Sequence, residues 1–271
     1  MSQLNPIQVN YVREFIKLSL WYVHKRLREN QGDFEDLINS RVNIYRNTSL
    51  YDGQHHPSKG HLDPAWTEIH EQLRAIFNRH QNTTSTSQLE DEGLNLLWPY
   101  LEARLLQGGD PPPLWKDRPY RCWRFDAKTD RIHIHIFNLY QPSSPLSEMR
   151  IPFAAALIRL LHDAQAQNPQ AETVCCGSWL NSVPTFQALF PKSWIQSVTP
   201  RGDVRYTMGT WGQFTDRRGD FHARNGTQFR KTGAFPYRSL ACQCPIGEAI
   251  TRLETTFPDA VEYNKIRIQV P

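Results

Sequence analysis

RPYRCWRFDAKTDRIHIHIFNLY, residues 118–140, is where the periodicity of the chain changes. Within it apolar and polar residues alternate, with Ile132, Ile134 and Ile136 interleaving Arg131, His133 and His135. A period of two is the signature of a strand with one buried face. Two such runs flank Ala127-Lys128-Thr129-Asp130, so the stretch reads as an antiparallel hairpin. It also places His133 and His135 on one side of the same strand.

Upstream the pattern is helical. From Ile7 to Leu27, apolar residues recur at three- and four-residue steps in a wide stripe. Asp33 to Tyr45 reads as a shorter helix, and NTSLYDGQHHPSKGHLDP as a solvated loop. Asp63-Pro64 supplies an N-cap and a proline at the first helical position for a helix over Ala65 to Arg79. Leu89 to Leu106 forms another helix, interrupted at Pro99, and GGDPPP closes the region. Downstream, Met149 to Gln167 is an amphipathic helix, ETVCCGSWL a short strand and VPTFQALFP a short helix stopped by Pro191. The segment from Arg201 to Arg238 alternates and turns at Asp216 to Gly219 and again at Asn225-Gly226, which predicts strands. Pro245 to Leu253 is the last helix, and NKIRIQVP a terminal strand.

That order gives an α/β (α+β) fold: a helical N-terminal region, residues 1–113, packed on an α/β region, residues 114–271, as one compact unit with a mixed sheet flanked by helices. The 271 residues suffice for a sizeable core. Charged residues make up 21% and the mean hydropathy is −0.59, and no apolar run approaches the ~20 residues of a membrane span. No secretion-signal pattern opens the chain, and five cysteines cannot all pair within it, so free thiols in the cytoplasm are expected.

The strand IHIHIF, the loop SSPLSE leading into a long helix, the next strand ending in GSWL and the segment ending in LFP resemble the C-terminal half of GNAT-type acyltransferases, and more narrowly the bacterial GNAT-like C-terminal domain family. The likeness covers residues 120 to 215. It implies a GNAT-like sheet and transfer of an acyl group from a CoA-type donor. In that family a glycine-bearing loop grips the donor's pyrophosphate, whereas the corresponding loop here, QPSSPLSEMR, contains no glycine. Helix N-terminal amides remain as an anion grip.

Three constellations can carry chemistry. His133 and His135 offer a general base for an amine or hydroxyl acceptor, since imidazole titrates near neutral pH. Alternatively they offer two ligands to a divalent transition metal, completed by His222, Glu148 or the cluster His55, His56 and His61. The simplest alternative is an ordinary polar strand face. The segment from Arg201 to Arg238 carries eight basic and three acidic residues, interleaved with Phe and Tyr. Arg217, Arg218, His222, Arg230 and Arg238 are its candidate anion contacts, near the turn glycines Gly219, Gly226 and Gly233. Finally, Cys176 and Ser178 flank Gly177 at a strand end as candidate nucleophiles, although the G-x-S-x-G form is absent. His70, His80 and His162 read as surface positions.

The function expected from these residues is group transfer from an anionic donor to a small-molecule acceptor. A metal-dependent enzyme built on His133 and His135 is the alternative. A noncatalytic module binding an anion or nucleic acid is a second alternative, with nucleic acid disfavoured because there is no long basic tract.

Overall fold

The computed structural model describes residues 4–108 and 119–268. Its class is the expected one: helices with a five-stranded mixed open sheet. The chain divides into two compact units, Met1–Asp110 with Asp203–Pro236, and Pro111–Gly202 with Tyr237–Pro271. The helical unit thus takes in most of the basic segment, rather than the α/β region that its sequence pattern suggests.

The helical unit begins with α1 (Pro6–Arg28), where the Asn5 side chain accepts from the Ile7 amide and Pro6 stands at the first helical position. Its stripe, including Phe15, Ile16, Leu20 and Val23, is buried. The expected second helix is only partly regular. After α2 (Phe34–Asp36) the chain widens into a π turn over Leu37–Arg41, then extends at Val42 and closes a 3-10 turn at Tyr45–Asn47. Here Asn39 spends its amide on the Trp66 indole and Glu35 rather than on the helix. Next come α3 (Pro64–His80), capped by Asp63 as expected, and α4 (Ser87–Leu106). α4 runs through Pro99 without interruption. The proline removes one backbone bond, but Leu97 and Leu101 on either side of it are fully buried and hold the helix in place.

The chain then passes through the second unit before returning at residue 203. In that second unit β1 (Trp123–Ala127) and β2 (Arg131–Ile136) form the expected hairpin. α5 (Arg150–Gln167) crosses over to β3 (Thr173–Ser178), which lies parallel to β2. Two short helices follow, α6 (Pro184–Gln187) and α7 (Lys192–Gln196), and then the two-residue edge strand β4 (Thr199–Pro200).

Back in the helical unit, residues 203–236 hold helices rather than the expected strands: α8 (Met208–Trp211) and α9 (Ala223–Thr232). The only β feature described there is the isolated bridge between Thr215 and Phe221. Asn225-Gly226, read as a turn, lies within α9 with both residues buried. A Cβ on Gly226 would stand 2.5 Å from the Phe221 ring, so the glycine serves close packing rather than a turn. Trp211, Phe214, Phe229 and Phe235 form the aromatic cluster that pulls this segment onto Phe15 and Tyr22 of α1. Tertiary burial therefore overrides the local alternation.

The second unit closes with β5 (Leu240–Pro245), inserted between β3 and β4, and with α10 (Ile246–Thr256) and α11 (Pro258–Ile268). The sheet order is β1-β2-β3-β5-β4. NKIRIQVP is helical to Ile268 rather than a strand, and its last three residues lie outside those described. Most of GGDPPP lies outside them as well. Every helix of this unit contributes to one core with Trp123, Ile132, Ile134, Val174, Cys176, Cys242 and Cys244. The helices thus cover one face of the sheet. No helix among the described residues is long and apolar enough to cross a membrane.

One side chain fastens the far end of that sheet. Asn181, fully buried, donates its amide to the carbonyls of Cys176 (3.0 Å) and Leu240 (2.9 Å) and accepts from the Trp194 indole (3.1 Å). Replacing it by leucine leaves an indole N–H and two carbonyls to find new partners. Asn181→Leu is expected to cost about 3 kcal/mol or more in urea unfolding, with little change in the denaturant slope.

Candidate functional site

The face of the sheet away from its helices carries polar side chains. Side chains of in-register residues on neighbouring strands lie on the same face, with strands about 4.8 Å apart. The register pairs Asp126 with His133, His133 with Cys175 and Cys175 with Gln243. These four residues therefore form a transverse row over β1, β2, β3 and β5. Arg124, paired with His135, starts the next row. Trp123, Ile132, Ile134, Val174 and Cys176 are buried, while His133, His135 and Cys175 are half-buried and Asp126 and Gln243 exposed. The histidines thus lie opposite the isoleucines, as their alternation requires.

His135 Nε2 lies 2.7 Å from Asp126 Oδ2. A carboxylate only accepts, so Nε2 carries the proton and Nδ1 keeps the lone pair. The His133 ring stacks beside it, with centroids 5.0 Å apart and planes inclined at 19°. Arg124 Nη2 is 3.8 Å from the same carboxylate oxygen. Arg201 lies across Gly177, donating to its carbonyl at 3.0 Å and to Ser239 Oγ at 3.3 Å. A Cβ on Gly177 would meet the Arg201 guanidinium at 2.9 Å, so only glycine lets the cation lie this close to the strand.

Burial pulls the pKa of both histidines below the ordinary value. For His133 the charge of His135 adds to burial, Asp126 opposes it, and Lys128 and Arg201 reinforce it. For His135, Asp126 opposes burial and Arg124 assists it. Both rings are therefore neutral at neutral pH and able to accept a proton.

The other expected site residues are placed differently. Cys176 faces the core, where burial pushes its thiol up to about 12, so it is not a thiolate near neutrality. Ser178 caps the turn that follows β3, accepting from the Leu180 amide at 3.1 Å. Neither stands on the polar face. Arg230 makes a two-pronged ion pair with Glu90, 2.8 Å on each side, and stacks on Trp21. Glu90 is nearly buried, so the pair is structural. Arg217 and Arg218 are exposed at the turn organised by Asp216, which accepts from the Arg218 and Asp220 amides. His222 caps α9, its ring accepting from the Asn225 amide at 3.4 Å. Arg238 belongs to the other unit, and its carbonyl accepts from Ser182.

Among the described residues no group of three His, Cys, Asp or Glu side chains is arranged to hold a metal ion. The metal reading of His133 and His135 therefore lacks its companion ligands. Glu148 is occupied by the Ser144 amide and the Ser147 hydroxyl. Within the helical unit His55 pairs with Asp52, and His56 stacks on Tyr206 at 3.7 Å. His56, His70 and His80 are buried, contrary to the surface positions expected of them, while His162 is exposed. His70 packs against Phe34, and His80 bonds to Glu92. All five cysteines are free, and only Cys175 is not buried.

The sequence reading missed Asp126, Cys175, Gln243, Arg124 and Arg201. Two of them were within reach, because a turn at Ala127–Asp130 sets Asp126 opposite His133 and alternation puts Cys175 on the face that Cys176 leaves. The position of β5 beside β3, and with it Gln243, has no local signal. Comparison with family models, with curated proteins and with solved structures returned no match.

Two consequences can be measured. Arg230→Gln leaves the buried Glu90 carboxylate with the Thr86 hydroxyl but no cation and is expected to lower stability by about 2 kcal/mol or more, whereas Arg218→Gln stays within about 0.5 kcal/mol in the same urea titration. His56 is held neutral by burial and by Arg46 and Lys59, its pKa lowered from 6.5 to about 3. Between those values the unfolded chain binds a proton that the folded chain refuses, so stability falls as pH drops through that window. The loss approaches about 1.4 kcal/mol per pH unit from this group. His56→Phe keeps a ring on Tyr206 and is expected to flatten the acid limb of a stability–pH curve by one proton.

Proposed function

We propose that the polar face of the sheet is a group-transfer site that moves an acyl or similar group from an anionic donor to an amine or hydroxyl acceptor. The observation that carries this reading is the 2.7 Å contact of His135 with Asp126 on that face. A carboxylate that fixes the tautomer and stabilises the protonated ring is the usual support of a general base. His135 Nδ1 takes the acceptor's proton. Arg124 and Arg201 supply positive charge for the donor's anionic part, with Arg201 fixed by two hydrogen bonds. The arrangement β2–α5–β3 is the part of the chain on which the resemblance to GNAT-type acyltransferases rests, and it favours an acyl group over other transferable groups.

The test is acyl transfer from acetyl-CoA, and in parallel from p-nitrophenyl acetate, to a panel of small amines. The rate should rise with pH to a plateau reached near neutrality, since a lowered histidine pKa leaves the base form present there. Asp126→Asn should cut the rate roughly tenfold or more and move the midpoint further down, because the carboxylate opposes the depression. His135→Gln should abolish the pH-dependent limb. Full activity in His135→Gln would rule this assignment out, as would the absence of transfer from either donor in the wild type.

A further inference from the structure

We propose that Cys175 is a nucleophile on this face and that transfer runs through a thioester on its sulfur, with His133 as the partner base. The inference rests on the group-transfer reading and adds roles for Cys175, His133 and Gln243, which that reading does not use. Its ground is the transverse row in which Asp126 stands opposite His133, His133 beside Cys175, and Cys175 beside Gln243. β2 and β3 align base and nucleophile, β5 adds a side-chain amide, and the Asp126 carboxylate on β1 bonds to His135, the ring stacked beside the base.

The five cysteines separate cleanly. Cys122, Cys176, Cys242 and Cys244 are buried in the core, and burial pushes their thiols up to about 11 or 12. Cys175 is half-buried on the opposite face. Burial raises its thiol as well, while Arg131 and Lys128 pull the other way. With the thiol raised and the imidazole lowered, the resting pair is neutral. Its proton moves only as the sulfur attacks, which is the situation of a hydroxyl nucleophile beside a histidine.

The step balances without any oxidant. The Cys175 thiol proton passes to the His133 ring nitrogen as Sγ adds to the carbonyl carbon of an ester or thioester donor. The carbonyl π pair moves to oxygen, and the side-chain amide of Gln243, the in-register neighbour of Cys175, donates an N–H to it. The C=O bond re-forms, the bond to the alcohol or thiol leaving group breaks, and that group takes the proton back from His133. An amine or hydroxyl acceptor then attacks the thioester and gives its proton to His135. The Cys175 sulfur departs and recovers that proton from the imidazolium. Two adjacent histidines thus acquire separate tasks, one for each half of the exchange.

Acetylation by p-nitrophenyl acetate, followed by intact and peptide mass spectrometry, tests the proposal, with thermal unfolding confirming that each variant is folded. The wild type should gain one acetyl group, on the peptide containing Cys175, and faster than the same thiol in the urea-unfolded chain. Cys175→Ser should lose this thioester, and Cys176→Ser should keep it. His133→Gln should slow formation roughly hundredfold, and His135→Gln should let the acetylated form persist when an amine is added. Labelling no faster than in the unfolded chain, or unaffected by His133→Gln, overturns the proposal. Amine acetylation that proceeds at full rate in Cys175→Ser also overturns it, while leaving direct transfer by His135 standing. A His133-dependent thioester that no acceptor discharges keeps Cys175 as the nucleophile and removes the transfer reading instead.

Discussion

The sheet unit depends on how one buried amide is satisfied. Asn181 has one carbonyl and one NH2 to offer, and it spends them on the Cys176 and Leu240 carbonyls and on the Trp194 indole. Those three groups come from the C-terminal half of β3, the first residue of β5 and the helix α7. The side chain therefore fixes where β3 and β5 begin to pair, and a hydrogen-bonded ladder then carries the register to Thr173 and Pro245. Register matters here more than local shape. A slip of β5 by one residue along β3 would turn Gln243 into the core and the buried Cys242 out of it. The alignment of Cys175 with Gln243 is thus a consequence of polar bonds made some distance away and under full burial.

The same strand shows how strongly environment sets chemistry. Cys175 and Cys176 are neighbours in sequence with identical side chains. One shares a face with histidines, arginines and a carboxylate; the other packs among Val174, Cys242 and the helices. The helical unit manages its buried polarity in another way. His24 bonds to the His80 carbonyl, His80 to Glu92, and Glu90 to Arg230. These groups stitch α1, α3, α4 and α9 together, and their partners account for their burial without any catalytic role.

What could be read in the sequence follows the range of the forces involved. The long amphipathic helix at Ile7, the Asp63-Pro64 start of α3 and the hairpin around Lys128 each follow from residues within one or two turns of one another. The region from Arg201 to Arg238 does not. Its alternating aromatics look like strand positions until Phe15 and Tyr22, about two hundred residues away, offer them a place to be buried. Pro99 misled for the same reason, since Leu97 and Leu101 hold a helix that the proline alone would break. For the candidate site, the two histidines were legible because alternation is local. Their neighbours were not, because a strand's partner across the sheet is decided by topology. Arg230, legible only as a cation, turned out to be claimed by Glu90.

The order of the strands along the chain has a consequence for biosynthesis. β1, β2, α5 and β3 emerge from the ribosome in sequence and can pair at once, but the slot beside β3 waits for Leu240–Pro245. Before that strand arrives, the chain makes residues 203–236 and completes the helical unit with them. Throughout that interval β3 presents an unpaired edge, Asn181 lacks its Leu240 acceptor and β4 has no neighbour. A nascent chain stalled short of residue 240 therefore carries a finished helical unit and a sheet still lacking β5. That edge is the place where strands of two unfinished copies would pair, and where a chaperone holding the nascent chain would have most to protect.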